Sequence, residues 1–327
     1  MLNDSNNANR SSATIVGNRG MWKGLHFTRE RFKIVRKIVA HVTTDSWDNV
    51  PHVSFTYEPD VTEFYNQYLV LKQKYQPDHN ITLNTLLLKA VVEALKAAPH
   101  LNAYVKYNRT NSRGTLDVIE EINVSMPSKI DDNTTVTVNL SNANDKSLVE
   151  LNGFAADIKR RAQRTNFDEL YYRTAFEQSM DELRELKVLL VIRRLFAGRI
   201  GKDKVHPLKG KEKKDYYKIP ATERLTLEDV RRGTLVVTNI GSIMKDSPVT
   251  VNLLEIVPPQ VMAIALCALK NAPSVMSTQS GEPKIEVRKV LPICIAFDHR
   301  AYDFDAMKPF VSKLDEIFKN PEIIHNW

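Results

Sequence analysis

The sequence predicts an α/β protein folded as a two-layer sandwich. The first observation is that segments with apolar residues at helical spacing alternate irregularly with short β-branched segments. The second is that the C-terminal half contains several continuous apolar runs, which are typical of strands in a sheet covered on both faces. Helices and strands mixed in this way indicate a layer of helices packed against a sheet.

The composition is that of a chain with a substantial core, because 43% of the 327 residues are hydrophobic and 26% are charged. No apolar run approaches the roughly 18 residues of a membrane-spanning helix, so no membrane span is predicted. The N-terminus lacks the regions of a signal peptide, and we expect a cytoplasmic protein. Residues 1–20, rich in Asn and Ser, are predicted to be a disordered tail ahead of a folded region at 21–327.

Helices are predicted where apolar residues recur three and four positions apart. The clearest of them, at 83–98, ends before Pro99, which cannot continue a helix. The predicted helices lie at 30–40, 61–74, 83–98, 148–164, 183–196 and 305–319.

Strands are predicted where β-branched residues alternate with polar ones or where short apolar runs occur. The segment 134–140, Thr-Thr-Val-Thr-Val-Asn-Leu, is typical of the alternating kind. The predicted strands lie at 53–57, 116–118, 122–126, 134–140, 233–239, 249–255, 261–269, 285–290 and 293–297.

Two cysteines occur, Cys267 and Cys294, and both lie in apolar strand-like runs. A small thiol fits well in a core, and the two residues do not have the spacing of a zinc site. We therefore interpret both as core residues and predict no metal site.

The stretch that follows the last predicted strand carries the candidate chemistry. It reads Asp-His-Arg-Ala-Tyr-Asp-Phe-Asp-Ala-Met and places His299 at a strand end, with Asp303 four residues later. An imidazole there can act as a general base whose tautomer is fixed locally. The alternative is an ordinary ion pair at the end of a strand.

This stretch resembles the His-x-x-x-Asp-Gly motif of the chloramphenicol acetyltransferase and dihydrolipoyl acyltransferase superfamily, in the Asp-His-Arg form of the 2-oxo-acid dehydrogenase acyltransferases. Further segments match that family in order: Pro-His-Val-Ser at 51–54, Pro-His-Leu-Asn-Ala at 99–103, Thr-Asn-Ile-Gly at 238–241 and Val-Pro-Pro-Gln at 257–260. The resemblance covers about 30–165 and 230–324. It implies the acyltransferase fold, a mixed sheet with helices on one face, and trimers with active sites between subunits.

The resemblance also implies roles for single residues. His299 would be the base, and Thr238 would donate a hydroxyl to the oxyanion. Asp303 would orient the site through an ion pair, with Arg36 as its structural partner. Asn239 and Gly241, also in the Thr-Asn-Ile-Gly segment, would be substrate-binding positions.

One position departs from the motif, because Phe304 stands where the family has glycine. Phenylalanine adopts a positive φ only at a cost and leaves no open space beside the carboxylate. Either the loop differs or the pocket is altered. The imidazole and the carboxylate are both retained.

The segment at about 167–226 has the weakest family likeness and is predicted to be a divergent, basic insertion. Its lysine run favours a solvated loop, although it could attract coenzyme A phosphates or an acidic carrier. The predicted helix at 183–196 favours core or oligomer packing over an interfacial membrane or partner-binding role. The run comprises Lys202, Lys204, Lys209, Lys211, Lys213 and Lys214.

The leading hypothesis is a coenzyme-A-dependent acyltransferase that moves an acyl group between acyl-coenzyme A and a thiol or other small acceptor. No lipoyl-domain signature occurs, so we expect no bound lipoyl group in this chain and a stand-alone catalytic domain. Its acceptor would then be a separate lipoylated protein, a small molecule or another carrier. The alternative is a non-catalytic trimeric scaffold or regulatory relative that binds a partner through the insertion. No nucleic-acid motif is present.

Overall fold

The computed structural model of the protein divides into two compact units. The sheet unit comprises Asp45–Met126, Asn139–Ala156 and Arg232–Trp327, and the second unit comprises Met1–Thr44, Pro127–Val138 and Asp157–Arg231. The predicted organisation, one domain at 21–327 with an insertion, stays a prediction. The structure describes residues 17–30, 32, 34–129, 135–184, 207–244, 247, 249–277 and 281–327.

The described elements are the predicted mixture of strands and helices. The strands are β1 (Gly17–Trp22), β2 (Leu25–Glu30), β3 (His52–Tyr57), β4 (Ala103–Asn108), β5 (Arg113–Val118), β6 (Val124–Lys129), β7 (Thr135–Leu140), β8 (Leu235–Asn239), β9 (Met262–Leu266), β10 (Lys270–Ser277), β11 (Pro283–Val290) and β12 (Ile293–Asp298). The α-helices are α1 (Ile34–Asn49), α2 (Thr62–Tyr75), α3 (Leu83–Lys96), α4 (Leu148–Ala162), α5 (Phe167–Arg184), α6 (Gly210–Tyr216), α7 (Ile240–Ile243) and α8 (Lys308–Lys319).

Three predicted elements differ from the structure. The first helix begins at Ile34, later than predicted, because residues 25–30 pair with β1 in a hairpin. That hairpin starts at Gly17, so the end of the predicted tail is a strand, and residues 1–16 lie outside the described residues. The described residues of the predicted strand at 249–255 are irregular. Most of the predicted helix at 183–196 also lies outside the described residues.

A six-stranded mixed sheet runs through the fold in the order β3-β12-β9-β8-β6-β7. Strand β12 is antiparallel to both of its neighbours, β3 and β9, whereas β8 is parallel to β9 and β6. Strands β12 and β8 therefore run in opposite directions, and their C-terminal ends lie at opposite ends of the sheet's strands. This arrangement decides where the two predicted halves of the site lie.

The helices of the sheet unit pack on one face of the sheet. Phe297 and Ile264 point into the main core together with Phe310 of α8 and residues of α2 and α3. Their neighbours Ala296 and Ala263 point the other way, into a small cluster with residues outside these helices. The predicted two-layer arrangement, with helices on one face of a mixed sheet, is confirmed.

The described part of the second unit contains several buried or partly buried ion pairs. Arg161 forms a bidentate pair with Asp229, with nitrogen–oxygen distances of 2.7 and 2.6 Å. Glu169 is fully buried and accepts hydrogen bonds from the Leu208 amide and the Tyr217 hydroxyl, at 3.1 and 2.9 Å. Lys213 lies 3.2 Å from the same carboxylate. One lysine of the basic run therefore stabilises a buried charge, and part of that run is helix α6, not a loop.

The C-terminal tail packs on its own chain. Ile324 is fully buried, and Ile323 and Trp327 contact the main core. His325 Nε2 lies 2.9 Å from Gln67 Oε1 on α2. Among the described helices, none has the length and apolar character to cross a membrane.

Candidate active site

His299 follows the last residue of β12 in a turn whose backbone is fixed on both sides. The His299 amide donates a hydrogen bond to the Pro51 carbonyl at 3.0 Å. The preceding amide, that of Asp298, donates to the Val261 carbonyl at 2.9 Å. Because β12 lies between β3 and β9, the segments beside both neighbours hold the backbone of this turn, residues 298–303, which we call the histidine turn.

A buried ion pair closes the base of the histidine turn. Asp298 is fully buried, and its two carboxylate oxygens bind the Arg300 guanidinium at 2.5 to 3.1 Å. The Arg300 amide donates to the same carboxylate at 2.9 Å. Bidentate pairs of this kind are among the strongest polar contacts, and they fix geometry as well as charge. The flanking residues of His299 are thus locked together.

The His299 imidazole is oriented through its Nδ1 atom. Nδ1 lies 3.0 Å from the Tyr302 carbonyl oxygen and 3.3 Å from Asp303 Oδ1. A carbonyl oxygen only accepts hydrogen bonds, so Nδ1 carries the proton and Nε2 holds the lone pair. Nε2 has no hydrogen-bond partner among the described residues, and the side chain is 47% exposed. The free acceptor nitrogen therefore faces an accessible space.

Two other histidines of the sheet unit are used structurally. His52 Nε2 accepts a hydrogen bond from the Ile256 amide at 2.9 Å, and burial lowers the pKa of this imidazole. His100 Nε2 lies 2.9 Å from the Ala306 carbonyl, to which it donates. Neither ring offers a free Nε2 acceptor, so His299 is the base candidate of this region.

Phe304 fits the turn without the backbone conformation that glycine would allow. It is not among the described residues with positive φ, and it begins a 3-10 turn at Phe304–Met307. Its ring packs against Phe55 and Phe297, with centroid distances of 5.5 and 5.3 Å. The turn therefore accommodates Phe304, and the effect of this residue on the pocket stays a prediction.

The second half of the predicted site lies at the end of β8. The Asn239 side chain accepts a hydrogen bond from the Ser242 amide at 2.7 Å and so caps the short helix α7. A Cβ on Gly241 would lie 2.7 Å from the Cys267 carbonyl oxygen, so only glycine fits this close approach. These contacts give both residues structural roles, and their predicted substrate contacts stay predictions. We call residues 238–243 the threonine turn.

Thr238 is half-buried, and its hydroxyl has no hydrogen-bond partner in the part of the chain that the structure describes. Val236, two residues earlier, packs in the cluster on the sheet face away from the helices. Since side chains alternate along a strand, Thr238 points to the same face. A free hydroxyl in that position is available to donate to an oxyanion.

The strand register separates Thr238 from His299 within one chain. Thr238 lies opposite Ala265 of β9, and Ala265 lies opposite Cys294 of β12. His299 is five residues beyond Cys294, which at about 3.3 Å per residue is roughly 16 Å along the strand. The two side chains therefore cannot act on one acyl group within the same chain.

Arg36 and the two cysteines are the remaining residues with a predicted role. Arg36 is exposed on α1 in the second unit, whereas Asp303 belongs to the sheet unit, and their predicted pairing stays a prediction. Both cysteines are buried and free, and burial raises the pKa of Cys294 to about 11. The interpretation of both as core residues is confirmed.

Comparison with known families decides the identity of this arrangement. The model of the 2-oxoacid dehydrogenase acyltransferase catalytic domain matches residues 25–171 and 210–325. The chain belongs to this family. The predicted family is therefore confirmed, and the match leaves out 172–209, which falls inside the segment predicted as an insertion.

A curated relative carries the same family domain within a longer protein. It is the dihydrolipoyllysine-residue acetyltransferase component of the pyruvate dehydrogenase complex of Mycobacterium bovis, which is 23% identical over 283 residues. The alignment covers 85% of this chain and 39% of that protein, so the chain spans about two fifths of the relative's length.

Solved structures share the fold of this family member. One is the dihydrolipoamide acetyltransferase of Azotobacter vinelandii, with a TM-score of 0.56, 18% identity, and coverage of 88% of this chain and 89% of that chain. Another is the cubic core of the pyruvate dehydrogenase multienzyme complex, with a TM-score of 0.57, 18% identity, and coverage of 90% and 92%. At this identity they establish the fold, and the predicted fold class is confirmed.

Proposed function

We propose that this family member is a coenzyme-A-dependent acyltransferase in which His299 is the general base. The observation that carries the proposal is the His299 imidazole, whose Nδ1 donates to the Tyr302 carbonyl while Nε2 has no partner among the described residues. An imidazole titrates near neutrality and can both take and return a proton at pH 7. Family membership supplies the reaction class.

The reaction is thioester exchange. His299 Nε2 removes the proton from the acceptor thiol, and the thiolate attacks the acyl carbonyl of acyl-coenzyme A. The tetrahedral intermediate collapses, the carbon–sulfur bond to coenzyme A breaks, and the departing thiolate takes the proton from the imidazolium. Asp303, 3.3 Å from Nδ1, and the Tyr302 carbonyl, 3.0 Å from it, keep the ring oriented during both proton transfers.

Thr238 is the proposed oxyanion donor. Its free hydroxyl can donate a hydrogen bond to the oxygen that becomes negative in the tetrahedral intermediate. In the Azotobacter vinelandii enzyme, a serine, a histidine and an asparagine were investigated for their roles in catalysis. The Thr238, His299 and Asp303 set offers a comparable hydroxyl, imidazole and oxygen acceptor.

The site is proposed to form between two copies of the chain in a homotrimer. A separation of roughly 16 Å along the sheet supports this, because a second copy is needed to bring a Thr238 hydroxyl to a His299 imidazole. The ribbon β10–β11 also exposes an apolar face, with Val275, Ile285 and Val287 between 71% and 74% exposed. Exposed apolar surface of this kind is typical of subunit contacts. The likeness to a cubic core allows a larger assembly.

The proposed acyl acceptor is a dihydrolipoyl thiol on a separate carrier protein. Its support is the name of the Mycobacterium bovis relative, a dihydrolipoyllysine-residue acetyltransferase. A small-molecule thiol would satisfy the same chemistry.

The test is transfer from a panel of acyl-coenzyme A thioesters to dihydrolipoamide, with free coenzyme A separated by chromatography. We expect acceptor-dependent formation of coenzyme A and of the acyl-dihydrolipoamide, and loss of both in His299→Ala. Transfer that persists in His299→Ala would contradict the role of the base. No transfer with any thioester, together with no binding of coenzyme A, would favour the non-catalytic scaffold.

A further inference from the structure

We infer that Tyr302 and His100 form a clamp that positions the base, and that they do so as one unit. This inference rests on the proposed role of His299 and goes beyond it, because neither residue touches the reacting atoms. Tyr302 contributes its backbone carbonyl to the imidazole and its hydroxyl to the His100 segment. We call this pair the tyrosine clamp.

The first contact of the tyrosine clamp sets the tautomer of His299. The Tyr302 carbonyl oxygen lies 3.0 Å from Nδ1. If this carbonyl turns away, Nδ1 keeps only the more distant Asp303 carboxylate, 3.3 Å away and largely exposed. The ring proton can then move to Nε2 more readily, where it blocks the lone pair that removes the thiol proton. The direction of one carbonyl group therefore controls the fraction of active base.

The second contact fixes the direction of that carbonyl. The Tyr302 hydroxyl donates a hydrogen bond to the His100 carbonyl oxygen, and the rings of the two residues meet edge to face at a centroid distance of 5.5 Å. Burial raises the pKa of Tyr302 to about 12. The hydroxyl therefore remains protonated, and remains a donor, throughout the neutral range.

The third contact holds the far side of the turn. His100 Nε2 donates a hydrogen bond at 2.9 Å to the carbonyl of Ala306, which follows Asp303 by three residues in the chain. The 3-10 turn that carries His100, Pro99–Leu101, starts with a proline and follows α3, so the anchor is itself rigid. One histidine thus holds the chain both before and after Asp303.

The direct test is the variant Tyr302→Phe, which removes one hydroxyl and keeps the ring. Its first readout is the tautomer of His299, measured by nitrogen-15 NMR of the ring nitrogens, with the signal assigned by its loss in His299→Ala. We expect the Nδ1–H form to dominate in the wild type and to lose population in Tyr302→Phe. The matched control is Tyr104→Phe, which removes another hydroxyl that donates to a backbone carbonyl, that of Gly233, at 3.1 Å.

The second readout is kinetic. In Tyr302→Phe we expect kcat for acyl transfer to fall about tenfold, the rate equivalent of one hydrogen bond, with KM within about twofold. His100→Ala, which removes the contact with Ala306, should likewise lower kcat with little change in KM. Because the two residues act as one unit, the double variant should lose little more than the worse single variant.

The outcomes separate this inference from the proposed function. An unchanged tautomer ratio in Tyr302→Phe would overturn the clamp even if the enzyme is active. A changed tautomer ratio in a protein that shows no transfer would support the clamp and contradict the proposed function. Equal kcat losses in Tyr302→Phe and Tyr104→Phe would overturn the clamp, because a general loss of stability would then explain both.

Discussion

The histidine turn and the threonine turn are two strand ends of one sheet that have been built in opposite ways. In the histidine turn, the functional side chain is held: the Asp298 carboxylate binds Arg300, and the Tyr302 backbone carbonyl orients the His299 imidazole. In the threonine turn, the backbone is held by a cap from Asn239, while the Thr238 hydroxyl has no partner among the described residues. A base must be aimed, whereas an oxyanion donor must be left free.

The same comparison supports the proposed site between two copies of the chain. Each turn is held by contacts of its own. However, β12 and β8 run in opposite directions, so the two turns lie at opposite ends of the strands. In the proposed mechanism, the base and the oxyanion donor of one chain therefore belong to two different sites. A symmetric assembly joins half-sites without any further element, because each interface repeats the same pairing.

The largest expected effect is loss of the base. His299→Ala should lower kcat about 10³-fold, within the range usual for a positioned general base. The free energy of unfolding should stay unchanged, because the side chain is half exposed. Steady-state kinetics and urea denaturation check both statements, with the exposed His79→Ala as control; a kcat loss below tenfold would contradict the assignment.

The next effect concerns the oxyanion donor. Thr238→Val keeps the shape of the side chain and removes the hydroxyl, so kcat should fall about 10²-fold. Thr238→Ser restores the donor and should recover most of the rate. Comparable kcat values in the valine and serine variants would show that the hydroxyl does not take part.

Stability should respond most strongly at the base of the histidine turn. Asp298→Asn leaves the Arg300 guanidinium without its buried carboxylate, and the free energy of unfolding should fall by about 3 kcal/mol. The control is Asp117→Asn, which breaks an exposed pair with Lys106 and should cost less than about 1 kcal/mol. Equal losses in urea denaturation would show that the buried pair has no special role.

The smallest effect compares two glycines of the sheet unit. Gly241→Ala in the threonine turn places a Cβ 2.7 Å from the Cys267 carbonyl oxygen and should destabilise the fold by about 2 kcal/mol. Gly153→Ala in α4 meets no atom within 4 Å and should stabilise it by about 0.5 kcal/mol. Thermal denaturation distinguishes the two, and the same sign in both variants would contradict the close approach.

The sequence alone predicts the periodic elements well. Helices α2, α3 and α4 and strands β8, β11 and β12 follow apolar patterns that tertiary contacts do not override. The hairpin of β1 and β2 was missed because its strands show little alternation of apolar and polar residues. Its pairing depends on a turn in which Lys23 and Gly24 have positive φ. The segment 249–255 was predicted as a strand from its apolar residues, yet Val249 and Leu253 are exposed and only Leu254 packs against a buried cluster of described residues.

The candidate site divides in the same manner. His299 and Thr238 were predicted because motif resemblance marks single positions, and their catalytic roles stay proposals. The clamp is not, since the bond from Tyr302 to His100 joins residues 202 positions apart through a backbone carbonyl, which has no sequence signature. The separation of the two turns also required the register of three strands.

The most direct test of the account is complementation between two inactive variants. His299→Ala and Thr238→Val copies, carrying different affinity tags, are co-expressed and the mixed assemblies are isolated and assayed. Every mixed trimer has one complete site of three, so the isolated mixed trimers should reach about a third of the wild-type activity. Activity no higher than the sum of the two separate variants, in assemblies that carry both tags, would contradict a site shared between copies.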